Sequence, residues 1–389
     1  MTDAASLDAL IWVGLAGPAA IPTLTTAANL LTWPEGRPEP AATGLRVSVC
    51  IPARDEEATI GGCVRAALAS LPAAHEVIVF DDASTDATPD ILAAIARDEP
   101  RLRVVRGTGL PDGWVGKPHA CHQLSLHAEG DLLLFVDADT NLTRDGLGRV
   151  VSLITHPKLP SDVVTAVPRQ ITGTLAERMM MPLLHLVYTA WLPIPMVRLS
   201  QHPAFLAANG QVLAVRRSTY DEMGGFESVR TEVVDDMAFC RRAKVRGHKV
   251  VFADGQHIAS CRMYEDGPSL WRGFSKNLYE GIGANPMALA AVVALLLGTW
   301  VLPWAALPVA ILLSADTVAG AAGVGAALGL FTRAMLAVRY RHGALSVLAH
   351  PVAVVGLICI ALNSWRWSRQ GRIVWAGRTY AAREQRGPS

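Results

Sequence analysis

No charged residue occurs from Ala9 to Pro34, in ALIWVGLAGPAAIPTLTTAANLLTWP. A run of this length meets the roughly 20 apolar residues that a bilayer-spanning helix needs, so the chain is not expected to fold wholly as a water-soluble globule. Pro18 and Pro22 kink such a helix without forbidding it. A secretory signal is disfavoured, because the residues before the run hold Asp3 and Asp8 and no basic side chain. Gly281–Ala315 and Gly343–Trp365 are also free of charge, with a weaker, glycine-rich stretch at Thr317–Thr332 between them. The expected layout is a transmembrane helix at 9–34, a domain at 45–280, a membrane region with two or three spans at 281–365, and a basic tail at 366–389. A hydrophobic content of 51% and a mean hydropathy of +0.29 agree with this layout.

Charge follows the same division. Residues 35–285 carry 26 Lys and Arg against 30 Asp and Glu, a net of −4, while the remainder carries 9 Arg against 4 acids, a net of +5. The basic excess, including Arg366, Arg369, Arg372, Arg378, Arg383 and Arg386, flanks apolar segments and is no nucleic-acid footprint. Arg37 and Arg46 follow the first apolar run, whereas only acids precede it. The positive-inside rule therefore places the N-terminus outside and the middle domain in the cytoplasm, as a multi-pass protein of the cytoplasmic (inner) membrane. At the C-terminal end the rule is ambiguous. Three spans put Arg333, Arg339 and Arg341 inside and the tail outside, and two spans reverse this, unless one stretch lies in the interface. The six cysteines form no CxxC pair, so free thiols are expected. His119, Cys121, His122 and His127 read as a helix face in preference to a zinc site, since no second ligand cluster accompanies them.

The middle domain reads as α/β. Val47–Ile51 is a buried strand followed by an amphipathic helix near Ile60–Leu71. EVIVFDD is a second strand, followed by a helix that Thr88 caps with Pro89 in its first turn. LRVVRG is a third strand and LLLFVDAD a fourth, after a helix starting near Lys117. Such alternation predicts a doubly wound, mostly parallel sheet, whose ligands bind at the strands' C-terminal ends. Three strands deliver polar clusters there: Asp55, Glu56 and Glu57; Asp81, Asp82, Ser84 and Asp86; Asp137 and Asp139. Carboxylates can accept from base and ribose donors, and a pair such as Asp137/Asp139 can share a hard divalent cation bridging a diphosphate. Arg54 and Lys117 can neutralise further charge.

IPARDEEATI, VFDDASTDAT, GKPHA and FVDADT, in this order, resemble family 2 glycosyltransferases over about residues 45–280. The resemblance implies the GT-A fold, a nucleotide-diphosphate sugar donor and a divalent metal, Mg2+ or Mn2+. It also implies a nucleotide-sugar face carried by Pro52, Arg54, Glu56, Asp82, Lys117 and Asp137, with Asp139 and Asp137 at the metal. FLAANGQVLAVRRSTYDEMGGF resembles the segment beside the donor sugar, which makes Asn209, Gly210 and Gln211 candidates to line that pocket. TEVVDDMAFCRRAKVRG resembles the block presenting the catalytic base; this chain has Asp235-Asp236 where the family usually has Glu-Asp, and Asp236 matches the base. A helix-cap role for Asp235 is compatible with this. The Gln-x-x-Arg-Trp signature of processive synthases is replaced by SLWRGFSKNLYEG, so transfer of a single sugar is expected; Arg272 and Lys276 are candidates for a mobile flap on the diphosphate or for a juxtamembrane anchor.

ERMMMPLLHLVYTAWLPIPMVRL, residues 177–199, is charge-free from Met179 to Val197 and reads as an interfacial segment, a buried helix or a further span. With PDGWVGKPHACHQ and GFSKNL, the chain resembles the membrane-associated clade of hydroxychlorobactene glucosyltransferase and hopanoid-associated glycosyltransferases. That resemblance implies glucose from UDP-glucose moved to a hydroxyl of a lipid acceptor, a carotenoid or other polyisoprenoid. The alternatives are a polyprenyl-phosphate transferase, a hopanoid or glycolipid transferase, or a membrane scaffold with a decayed transferase domain.

Overall fold

The structure, a computed structural model, describes residues 4–38, 44–371, 373–375 and 378–380. Arg372, Arg383 and Arg386 of the basic tail lie outside the described residues. The chain divides into two compact units. One comprises Met1–Thr32, Thr172–Ile194 and Tyr264–Gln370; the other comprises Trp33–Ile171, Pro195–Met263 and Gly371–Ser389.

The second unit is built on an eight-stranded sheet: β1 (Val47–Ala53), β2 (Glu76–Asp81), β3 (Leu102–Arg106), β4 (Leu132–Val136), β5 (Thr140–Leu142), β6 (Val163–Gln170), β7 (Val212–Arg216) and β8 (Val250–Cys261), in the order β3-β2-β1-β4-β7-β6-β8-β5. The four strands expected from the sequence pair in parallel, with Val49 opposite Val77 and Leu134, and Val79 opposite Val104. Beyond β4 the sheet is mixed: β7 runs antiparallel to β4 and β6, β8 runs parallel to β6, and β5 runs antiparallel to β8. A mostly parallel sheet thus describes its first half. The segment after Gly210 enters an interior strand, because Val136 pairs with Val212 and Val215 with Val163.

Every residue of β4 is buried, and each such Leu or Val contributes about 1.5–3 kcal/mol of transfer free energy. Val49, Ile51, Val77, Val79, Leu132 and Leu134 pack on one face against Ile60, Val64 and Leu92 from the flanking helices. Phe135 meets Phe226 at 5.0 Å and Tyr220 at 6.1 Å in an aromatic layer. Pro52 costs the sheet little: β4 pairing with β1 extends only to Cys50–Phe135, so the missing N–H of Pro52 is not needed on that side. The helix Thr88–Ala96 is capped differently from the expectation. Asp86 Oδ1 accepts from the Thr88 N–H at 2.9 Å, and Thr88 Oγ1 instead accepts from the Glu56 N–H at 2.8 Å. The hydroxyl therefore ties together two loops.

In the first unit the run 9–34 forms two helices, Ala4–Leu15 and Gly17–Thr32, bent by 46° at their junction. Pro18 has no N–H to extend the first helix and suits the opening turn of the second. Asn29, almost fully buried, donates to the carbonyls of Thr189 (2.8 Å) and Leu192 (2.7 Å) and accepts from the Ile194 N–H at 2.9 Å. It fastens the helix Pro182–Trp191 within this unit. Residues 177–199 fall into three short helices, Leu175–Met180, Pro182–Trp191 and Pro195–Leu199; the first two belong to the helical unit and the third to the sheet unit. Pro286–Leu312, Asp316–Tyr340 and His350–Arg369 are long and apolar enough to cross a membrane.

Candidate functional site

The register brings the polar clusters to one edge. β1, β2, β4 and β6 end there, and antiparallel β7 begins there, so the loop Asn209–Gln211 arrives beside Asp137: the Asp137 N–H donates to the Gln211 carbonyl at 3.2 Å. Lys117, from the first turn of the helix Gly116–His127, places Nζ 2.6 Å from Asp137 Oδ1 and 3.4 Å from the Gly210 carbonyl. A Cβ at Gly210 would lie 2.9 Å from Lys117 Nζ and 3.4 Å from Asp236 Cβ, so glycine here lets the ammonium come close to the loop. The Gly210 N–H donates to the Asp236 carboxylate. Asp235 and Asp236 open the helix Asp235–Val245; Asp235 is buried and Asp236 is partly exposed. Lys117 therefore contacts Asp137 and Gly210, and Gly210 contacts Asp236, linking four separate stretches of sequence.

The loops after β1 and β2 interlock. Asp55, with φ at 53°, accepts from the Thr85 N–H at 2.7 Å, and its own N–H donates to Ser84 Oγ at 3.0 Å. Glu57 accepts from the Ala87 N–H at 3.0 Å, and Arg54 Nη1 donates to the Asp82 carbonyl at 2.6 Å. Asp55 and Glu57 are thus occupied in shaping the edge. Glu56 remains directed toward the acids, braced by Thr59 Oγ1 at 2.7 Å. Asp82 is buried at the same edge, its N–H donating to the Ala53 carbonyl at 2.9 Å.

Charge is unbalanced here. Burial pushes the Glu56 carboxyl up to about 7, with Asp139 and Asp137 adding to the rise against the Thr59 hydrogen bond. Burial and the neighbouring Asp137 raise Asp139 to about 6, although Thr140 and Cys261 hydrogen-bond to it. Burial raises Asp235 to about 7 against the pull of Lys117, and raises Asp236 in the same direction. Burial opposes the Lys117 charge, but Asp137 and Asp235 hold the ammonium well above the ordinary lysine range. Several carboxylates face one ammonium, so the site has room for more positive charge. Among the described residues no three His, Cys, Asp or Glu side chains form a closed cage. Asp139 and Asp137 would offer carboxylate oxygens, the donor type that Mg2+ or Mn2+ takes.

Behind these acids stand three residues that no motif marks, Cys261, Gln170 and Thr165, which hold the candidates Gln211 and Asn209. Gln211 Nε2 donates to Cys261 Sγ at 2.8 Å and its Oε1 accepts from Gln170 Nε2 at 3.1 Å, while burial keeps the Cys261 thiol protonated beside Asp139. Asn209 Oδ1 accepts from the Gln211 N–H at 3.0 Å, and Thr165 Oγ1 accepts from the Asn209 N–H at 2.8 Å. Cys261 sits in no motif and reaches Asp139 only through the placement of β8. Trp114 packs its ring 5.5 Å from His119 and 5.1 Å from His122, as expected of a helix face. Arg272 and Lys276 lie one turn apart on the helix Gly267–Gly281 of the helical unit.

The family model described as glycosyl transferase family 2 matches residues 48–217. The chain is 28% identical over 349 residues to 4,4'-diaponeurosporenoate glycosyltransferase of Staphylococcus aureus (strain MRSA252), covering 86% of this chain and 88% of that one. Among solved structures, the mannosyltransferase PcManGT from Pyrobaculum calidifontis, in complex with GDP-Man and Mn2+, superposes with a TM-score of 0.57 at 23% identity, covering 92% of this chain and 98% of that one. That likeness shows the fold, a mixed α/β sheet of the GT-A kind.

Proposed function

We propose that this chain, a family 2 glycosyltransferase, moves a single hexose, glucose from UDP-glucose, to an oxygen of a membrane lipid, a carotenoid or related polyisoprenoid, with inversion at the anomeric carbon. The observation that carries the reading is the chain of contacts from Asp137 through Lys117 and Gly210 to Asp236 at one sheet edge. Pro52, Arg54, Glu56 and Asp82 shape the nucleotide end of this edge, and Asn209, Gly210 and Gln211 line the sugar end. Asp236, partly exposed and oriented by the Gly210 and Met237 N–H groups, takes the proton of the attacking hydroxyl. Buried Asp235 sets its charge environment, and Lys117 orders Asp137 and offsets the negative field. Asp139 and Asp137 would hold a divalent cation, whose chemistry there would be to supply positive charge toward a leaving diphosphate.

The acceptor class rests on similarity to a transferase named for a carotenoid acid and on three helices apolar enough to cross a membrane. The reading makes the protein a multi-pass inner-membrane enzyme with the sheet unit in the cytoplasm. The relative's name favours one variation, a carboxylate acceptor, from which no proton has to be removed. Assays of the Asp236→Asn variant with paired polyisoprenoid alcohols and acids decide between them: loss of transfer to the alcohol supports the hydroxyl reading, and unchanged transfer to both removes Asp236 as base.

A further inference from the structure

The helical unit buries a cation with no anion. Arg333, on the helix Asp316–Tyr340, has 0% exposure. Its Nη1 donates to the Pro182 carbonyl at 3.1 Å and its Nη2 lies 3.5 Å from the Ser346 carbonyl, while Nε has no acceptor. No carboxylate pairs with it among the described residues. A guanidinium cannot escape this cost by losing its proton.

The charge of Arg333 reaches three imidazoles, His185, His342 and His350. His185 stacks 3.8 Å from the Tyr340 ring and lies 5.4 Å from His342. His350 meets Trp300 edge-on at 5.6 Å. Gly329, one turn before Arg333, faces this pair: a Cβ there would come within 3.4 Å of Trp300 and 3.7 Å of His350. His185 Nδ1, His342 Nδ1, both ring nitrogens of His350, Trp300 Nε1 and Thr299 Oγ1 all lack hydrogen-bond partners. Buried polar atoms are nearly always paired, so several orphans around one unpaired arginine call for a ligand. Thr299 and Trp300 also sit on a π-helical turn, Leu297–Val301, within an otherwise apolar helix; such turns concentrate at functional sites. Half-buried His342 lies at the surface end of the cluster.

We infer that this cluster binds the oxyanion head of an amphipathic lipid, a phosphate or a carboxylate. Arg333 Nε, Trp300 Nε1 and His350 donate to the head, and the surrounding apolar helices cover the chain. The lipid tail is inferred from the composition of the unit, in which these polar groups lie on or between helices able to cross a membrane. Two sources share this chemistry, an anionic bilayer phospholipid and a polyisoprenoid acid. The inference does not depend on the sugar-transfer reading, and its test does not read sugar transfer.

The test uses the full chain in a neutral detergent. The thermal midpoint and lipid retention by native mass spectrometry are measured with phosphatidylglycerol, a polyisoprenoid carboxylic acid, phosphatidylcholine or inorganic phosphate. The expected result is a raised midpoint and retention with one of the two anionic amphiphiles, the stronger identifying the source, and neither with phosphatidylcholine or phosphate. Trp300→Phe and His350→Leu each weaken the apparent affinity by about 10-fold, and Arg333→Met abolishes the effect. Should Arg333→Met fail to fold, the other two variants decide. Equal protection by phosphatidylcholine, equal protection by inorganic phosphate, or wild-type affinity in both variants overturns the inference.

Discussion

The two polar interiors of this protein are mirror images in charge. At the sheet edge several acids surround one ammonium, and burial raises Glu56, Asp139, Asp235 and Asp236 together. In the helical unit the charge of one guanidinium reaches His185, His342 and His350, and among the described residues its acceptors are backbone carbonyls. Buried charge is tolerated when its complement arrives with a ligand. By charge alone, the first interior favours added positive charge and the second an anion. The sign of the imbalance, more than the number of polar residues, distinguishes them.

That contrast can be broken at specific side chains. The largest effect is expected from Asp236→Asn, which lowers kcat with a polyisoprenoid alcohol by about 10²–10⁴-fold, the range for loss of a general base; initial rates at saturating donor check this. Lys117→Met removes the single ammonium and leaves Asp137 and Asp235 uncompensated, so turnover falls by about 10²-fold. The same variant sharpens the pH dependence. A base whose proton affinity is raised works only above its own titration, and burial raises Asp236, so wild-type activity declines with falling pH above the ordinary carboxylate range. Lys117 holds these acids down, and its loss moves that limb to higher pH; a pH–rate profile of both proteins reads the shift. Cys261→Ala removes a donor to Asp139 and weakens metal affinity by about 10-fold, measured by Mn2+ titration of nucleotide turnover. The smallest effect belongs to the helical unit: Asn29→Ala leaves carbonyls at Thr189 and Leu192 unpaired and costs about 1–3 kcal/mol of stability, seen as a lower thermal midpoint with the sheet-edge chemistry unchanged.

Much of the sheet edge was readable because its signals are local. A buried parallel strand is a short apolar run, and its C-terminal end is where that run stops; Ile51, Phe80 and Val136 mark such stops. The order β4-β7-β6-β8 was not readable, since antiparallel insertion depends on which distant strands meet. Cys261 was hidden for the same reason. Arg333 carried a misleading signal: in sequence it groups with Arg339 and Arg341 as a membrane flank, yet packing draws it inside, beside histidines from three separate stretches. The break after Leu15 was foreshadowed by Pro18, but a proline does not specify the size of the bend.

The most direct measurement of the central claim is nucleotide release by the purified full chain in native-like membranes. UDP-, GDP- and dTDP-sugars are supplied with polyisoprenoid acceptors, with and without chelator, to wild type and Asp139→Asn. The expected release needs a lipid acceptor, stops on chelation, resumes with Mg2+ or Mn2+, and is lost in the variant. Turnover unaffected by chelator and retained in Asp139→Asn contradicts it.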